Sequence, residues 1–98
     1  MKVNIQAVNF NVDRKLIDFI NERVTKLEKF YDKLIFVDVF LKLENTADKE
    51  NKCVDIKLGI PGEDLVVKKQ FKTFEEGVDS ASDSLERLLI KKKEKTRD

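Results

Sequence analysis

The chain has 98 residues, 41% hydrophobic and 40% charged, with a formal net charge of +1. That length supports one domain with a modest core, and the near-balance of charge means that any polyanion-binding surface must lie in how the charges are distributed, not in their sum. There is no histidine and a single cysteine, Cys53, which excludes an intramolecular disulfide and removes the usual residues of zinc sites and acid–base catalysis.

The opening "KVNIQAV" alternates, with Val3, Ile5 and Ala7 on one side and Lys2, Asn4 and Gln6 on the other; that is the pattern of a half-buried strand. It is not the continuous apolar block of a signal peptide, and no stretch approaches the roughly 20 apolar residues of a membrane span. A soluble cytoplasmic domain is the expectation. After "NFNV", Asp13 is placed to cap a helix. Residues 14 to 32 carry the helix pattern: Leu16, Ile20, Val24, Leu27 and Tyr31 recur at helical spacing, and Ile17, Phe19 and Phe30 widen the stripe. Lys15, Lys26, Lys29 and Lys33 fall on one flank. Arg23 lies nearer the stripe, where its stem can rest on the core while its head reaches outward.

"LIFVDVFLKL" (34 to 43) reads as a strand with Ile35, Val37, Val39, Leu41 and Leu43 on one face and Phe36, Asp38 and Phe40 on the other. "ENTADKE" is a polar loop. "CVDIKLGI" and "LVVKKQF" are two further strands, and the "PGED" between them makes a hairpin. Thr73 and Glu76 have capping-box spacing at the start of a second helix, whose stripe runs through Phe74, Val78, Ala81, Leu85, Leu88 and Leu89. Gly77 costs this helix about 1 kcal/mol of propensity relative to Ala. The expected fold class is α+β: a two-layer sandwich in the order β-α-β-β-β-α, with two helices side by side on one face of a four-stranded sheet.

The last twelve residues hold six basic side chains, Arg87, Lys91, Lys92, Lys93, Lys95 and Arg97, against Glu94 and Asp98. Glu75, Glu76, Asp79, Asp83 and Glu86 precede them, so the helix macrodipole accounts for part of this gradient. The basic run nevertheless continues past the last apolar anchor; residues 91–98 form a basic end expected to fray. Arg87, Lys91 and Lys95, spaced i, i+4 and i+8, make one row, and the first helix supplies another. Asp79 and Asp83 are also one turn apart, but without a ligand cluster that spacing suggests no catalytic pair. "GIPGED" lacks the Lys-Ser/Thr ending of a phosphate-cradling loop. No enzyme, cofactor or metal is expected.

"RVTKLEKFYDKL", the Pro-Gly hairpin and "TFEEGVDSASDSLERLLIKKKEK" together resemble the ribosome hibernation-promoting factor family, also called the ribosome-associated inhibitor A or sigma-54 modulation family. The resemblance covers nearly the whole chain. It rests on Arg23, Lys26, Leu27, Glu28 and Lys29 in the first helix, and on Asp79, Leu85, Arg87, Lys91, Lys93 and Lys95 in the second. It implies a β-α-β-β-β-α sandwich akin to the double-stranded-RNA-binding domain. It also implies binding to the small ribosomal subunit in the channel where mRNA and the A- and P-site tRNAs sit. Ser84 stands where the family usually has Lys, Leu88 and Ile90 where Gln and Asn are common, and an aromatic usual near Glu75 is missing. The resemblance is to the short type, which lacks a second, ribosome-pairing domain.

The RNA-binding residues expected on this basis are Arg23, Lys26, Lys29, Arg87, Lys91 and Lys95, with Lys33, Lys92 and Lys93 in support. The expected partner is rRNA of the small subunit, with no membrane, no small-molecule substrate and no requirement for a homo-oligomer. The alternative is a protein-interaction module that self-associates through its sheet edge or through the sheet face bearing Phe36 and Phe40.

Overall fold

The computed structural model describes residues 1–44 and 51–95; most of the "ENTADKE" loop and Arg97 lie outside them. Strand β1 (Lys2–Val8) leads into helix α1 (Arg14–Thr25) and a 3-10 turn (Lys26–Lys29). Strands β2 (Phe36–Leu43), β3 (Lys52–Ile60) and β4 (Glu63–Phe71) follow, and helix α2 (Phe74–Lys95) closes the order. The sheet order is β1-β2-β3-β4. β1 pairs parallel to β2, with Ile5 opposite Val39. The β2–β3 and β3–β4 pairs are antiparallel, with Val39 opposite Ile56 and Ile56 opposite Val67. A parallel pair needs a crossover, and α1 supplies it.

The alternation in each strand sends one face inward, but Ile35, which precedes β2, and Leu43, at its last position, are exposed and do not join the inward face as the sequence pattern suggests. Val37, Val39, Leu41, Val54, Ile56, Leu58 and Ile60 are buried there, and Val3, Ile5, Leu65 and Val67 pack at the margins. Leu16, Ile20 and Val24 of α1, Leu27 of the 3-10 turn and Val78, Ala81, Leu85 and Leu89 of α2 meet them. α2 lies over β3 and β4 and packs against α1. The expected two-layer α+β sandwich is the fold. Each fully buried Leu or Ile contributes about 1.5–3 kcal/mol.

Local chemistry sets the boundaries. Asp13 caps α1: its Oδ1 accepts the Leu16 N–H at 2.8 Å. Thr73 Oγ1 accepts the Glu76 N–H at 3.1 Å and donates its hydroxyl to Glu76 Oε1 at 3.1 Å. Gly62, at φ +88°, turns the β3–β4 hairpin after Pro61, a combination suited to a type II turn. That turn lets β4 start at Glu63, two residues earlier than the apolar pattern suggests.

One boundary differs more. The helix expected to reach residue 32 is α-helical to Thr25 and then tightens into the 3-10 turn. The Thr25 hydroxyl donates to the Asn21 carbonyl at 2.5 Å. A hydroxyl sharing the i−4 carbonyl weakens the regular helical bond and bends the chain. Lys33 therefore sits beyond the helix. At the other end, the basic run is helical as far as Lys95.

Gly77 also proves different from a simple weak spot. A Cβ there would lie 2.7 Å from Val54 Cγ2, so its missing side chain lets α2 settle against β3. Phe10 stacks on Phe74, with ring centroids 4.8 Å apart, pinning the 9–13 connection to the start of α2.

Candidate nucleic-acid interface

The outer surface of the helical layer is built from α1, the 3-10 turn and α2. At about 100° per residue, the buried Val78, Ala81, Leu85 and Leu89 point α2 inward and leave two flanks. Asp79, Asp83, Glu86, Ile90 and Lys93 fall on the flank toward α1. Arg87 and Lys91 fall on the outward ridge, and Leu88 and Lys92 face β4.

The contacts agree with that division. Arg23 crosses from α1 to α2: its Nε donates to Asp79 Oδ1 at 2.5 Å and its Nη2 to Asp83 Oδ1 at 3.2 Å. Nη2 also approaches the Asp79 carbonyl at 3.4 Å. Beside this bridge, Arg23, Lys26, Lys29, Phe30 and Glu86 line a cleft between the helices. Lys26 approaches Glu22 one turn earlier at 3.8 Å, an exposed pair of the kind that contributes little and leaves the ammonium accessible. Lys29, Lys33 and Lys93 meet around a neighbouring cleft with Glu28, Tyr31 and Asp32. Ile90 and Phe30 line a third cleft, between Lys29, Lys93 and Glu94; Ile90, one of the departures noted in the sequence, is there an apolar patch among charges.

The second row is set apart from the first. Arg87 is exposed, and its Nη2 reaches Ser84 Oγ at 3.4 Å. Lys91 lines a groove with Leu88, Lys92, Glu63 and Leu65. Lys92 forms an ion pair with Glu63 at the start of β4, so it is turned toward the sheet edge. Lys95 ends α2. Of the nine expected residues, Lys26, Lys29, Lys33 and Lys93 come together with Arg23 where the helices meet. Arg87 and Lys91 stand on the adjoining ridge, and Lys92 is drawn away.

The Arg23 bridge was missed in the sequence. Asp79 and Asp83 carried its signal, since two carboxylates one turn apart on the flank of an apolar stripe can hold one guanidinium between them. Their partner became visible only when α1 and α2 were placed side by side.

The opposite, outer face of the sheet is different. Phe36 lies across Gly59 on β3, where an added Cβ would be 2.0 Å from the ring. Phe40 lines an open concavity with Lys42, Cys53, Asp55, Lys68 and Gln70. Both rings are half-buried. Burial, together with the nearby Glu44 carboxylate, pushes the Cys53 thiol pKa up. Among the described residues no group of three or more His, Cys, Asp or Glu could hold a metal ion, and no helix is long and apolar enough to cross a membrane.

Residues 3–97 match the family described as sigma 54 modulation protein / S30EA ribosomal protein. The chain belongs to that family. A ribosome hibernation promoting factor of Pseudomonas putida is 33% identical over 95 residues, covering 97% of this chain and 89% of that protein. A ribosome hibernation promotion factor of Bacillus subtilis is 31% identical over 97 residues, but the match covers 50% of its length. Among solved structures, a ribosomal subunit interface protein from Coxiella burnetii superimposes with a TM-score of 0.82 at 17% identity, over 95% of this chain and 98% of that one. At that identity the likeness is one of fold. It places the sigma 54 modulation / S30EA chain among proteins with the same four-stranded, two-helix sandwich.

Proposed function

We propose that this protein is a ribosome hibernation factor that acts by occupancy in the cytoplasm. Its helical face lies on rRNA of the small subunit, in the channel that mRNA and tRNA would fill. Family membership and the names of its relatives support the ribosome as partner. The observation that carries the choice of face is the gathering of Lys26, Lys29, Lys33 and Lys93 where the helices meet, with Arg87 and Lys91 on the adjoining ridge.

Cations arranged in this way suit a folded RNA backbone. Lysines act as mobile point charges on phosphates, while an exposed guanidinium such as Arg87 can clasp a phosphate with two N–H groups. Contacts of this kind read backbone shape and position, with little dependence on base sequence. Inhibition then needs no covalent step: a bound protein excludes mRNA and tRNA from the volume it fills.

The test is co-sedimentation with purified small subunits. Replacing both Arg87 and Lys91 with Glu changes the local charge by four without touching the core. The expected result is loss of binding with an almost unaltered melting temperature, and mRNA and tRNA should displace the wild-type protein in competition. Normal co-sedimentation of the double variant would show that the ridge is not the contact surface.

A further inference from the structure

We propose that Arg23 is a positioning residue of the RNA-binding face and not one of its phosphate contacts. This rests on the ribosome-binding reading above. Arg23 stands within the cationic cluster, and its residue type and place on α1 suggest an RNA ligand. Its hydrogen bonds assign it a different task.

Its Nε and Nη2 are turned onto α2, bonded to Asp79 Oδ1 at 2.5 Å and Asp83 Oδ1 at 3.2 Å. The Arg23 side chain is 24% exposed, whereas Asp79 and Asp83 are 53% and 60% exposed. The carboxylates are thus the outward partners and the guanidinium is the inward one. A phosphate approaching from outside meets Asp79 and Asp83 before it meets Arg23. To clasp the Nε/Nη2 edge of Arg23 with two hydrogen bonds, the phosphate would have to break both carboxylate bonds. It would then sit beside two uncovered negative charges, well within a Debye length of about 8–10 Å.

Left in place, the same bridge does two things for the face. It fixes α1 against α2, so that Lys26 and Lys29 keep their position relative to Lys93 and the ridge. It also partly offsets two carboxylates that would otherwise repel RNA next to those lysines. A lysine could not do both as well. An ammonium is a point charge, while the planar fork of arginine can span two carboxylates one turn apart.

A double-mutant cycle on purified small subunits tests this, with affinity measured across a salt series. Removing a true phosphate contact reduces the log–log salt slope by about 0.7–0.9, and Lys26→Gln provides that reference step. Arg23→Gln is expected to weaken binding about tenfold with a step in slope clearly smaller than that of Lys26→Gln, since the only salt-dependent change is the lost offset of Asp79 and Asp83. In an Asp79→Asn/Asp83→Asn background, the same Arg23→Gln change should cost less than twofold, because the charges it restrains are gone. Arg23→Lys should fall between wild type and Arg23→Gln, and it also serves as the folded control if Arg23→Gln proves unstable.

A slope step equal to that of Lys26→Gln, together with a full tenfold loss in the Asn background, would make Arg23 a phosphate contact and overturn the proposal. Wild-type binding by Arg23→Lys would remove the need for a two-carboxylate fork and would also overturn it. If the wild-type protein itself fails to bind small subunits, the ribosome reading fails and the Arg23 role falls with it. That outcome is distinct from one in which wild type binds and the cycle shows no coupling, which removes the Arg23 role alone.

Discussion

The two halves of α2 carry net charge of opposite sign and use it differently. In the first half the charges serve the fold: Glu76 joins the Thr73 cap, and Asp79 and Asp83 hold Arg23 across the interface with α1. In the second half Arg87 and Lys91 stand on an exposed ridge, and Lys93 joins Lys29 and Lys33 around a cleft. A gradient from acid to base along one helix looks like macrodipole compensation throughout. The structure separates it into an acidic half whose Asp79 and Asp83 face a partner helix and a basic half whose Arg87 and Lys91 face outward. The lesson is that the role of a charge follows from its angular position as much as from its sign.

This contrast can be broken by substitution. The largest stability effect should come from the core beneath both halves: Leu85→Ala, at a fully buried site, is expected to cost about 2–5 kcal/mol in denaturant unfolding. In the first half, Gly77→Ala gains up to about 1 kcal/mol of helix propensity but forces a Cβ against Val54. Overpacking of that kind costs about 1–3 kcal/mol, and Val54 is β-branched and has little rotamer freedom with which to yield. Net destabilisation is expected. A gain in stability would show that α2 can rise from the sheet without loss.

Thr73→Ala removes the cap and should cost about 0.5–2 kcal/mol, again without a direct effect on RNA. In the second half, Arg87→Gln should change stability by no more than about 0.5 kcal/mol yet remove one step of salt dependence. If Arg87→Gln destabilised the fold as much as Thr73→Ala, the division of α2 into two roles would not hold. The smallest effect concerns the opposite face. Because its pKa is raised, Cys53 holds less thiolate at neutral pH than a free cysteine. Alkylation of Cys53 should therefore be slower than that of free cysteine at pH 7 and should accelerate at higher pH than usual.

Much of this architecture could be read from the residues. The alternation of "KVNIQAV", the Asp13 cap, the Thr73–Glu76 spacing and the Pro61-Gly62 turn are all local signals, and each lies where the corresponding element begins or turns. What was not legible depends on distant partners. The apolar stripe of α1 continues through Leu27 and Tyr31, so periodicity alone does not show the change to a 3-10 turn; the Thr25–Asn21 bond marks it. Gly77 looks like a cost until β3 is placed beneath it. Phe10 carries no pattern until it meets Phe74. The cations were legible as a set, but their grouping was not, because the approach of Lys93 to Lys29 and Lys33 and the capture of Lys92 by Glu63 arise from packing.

The most direct measurement of the central claim is the salt dependence of binding to purified small subunits. About six phosphate contacts, from Lys26, Lys29, Lys33, Arg87, Lys91 and Lys93, should give a log–log slope of about −4 to −5. A slope near zero, with affinity unchanged across the salt series, would contradict an rRNA-binding helical face.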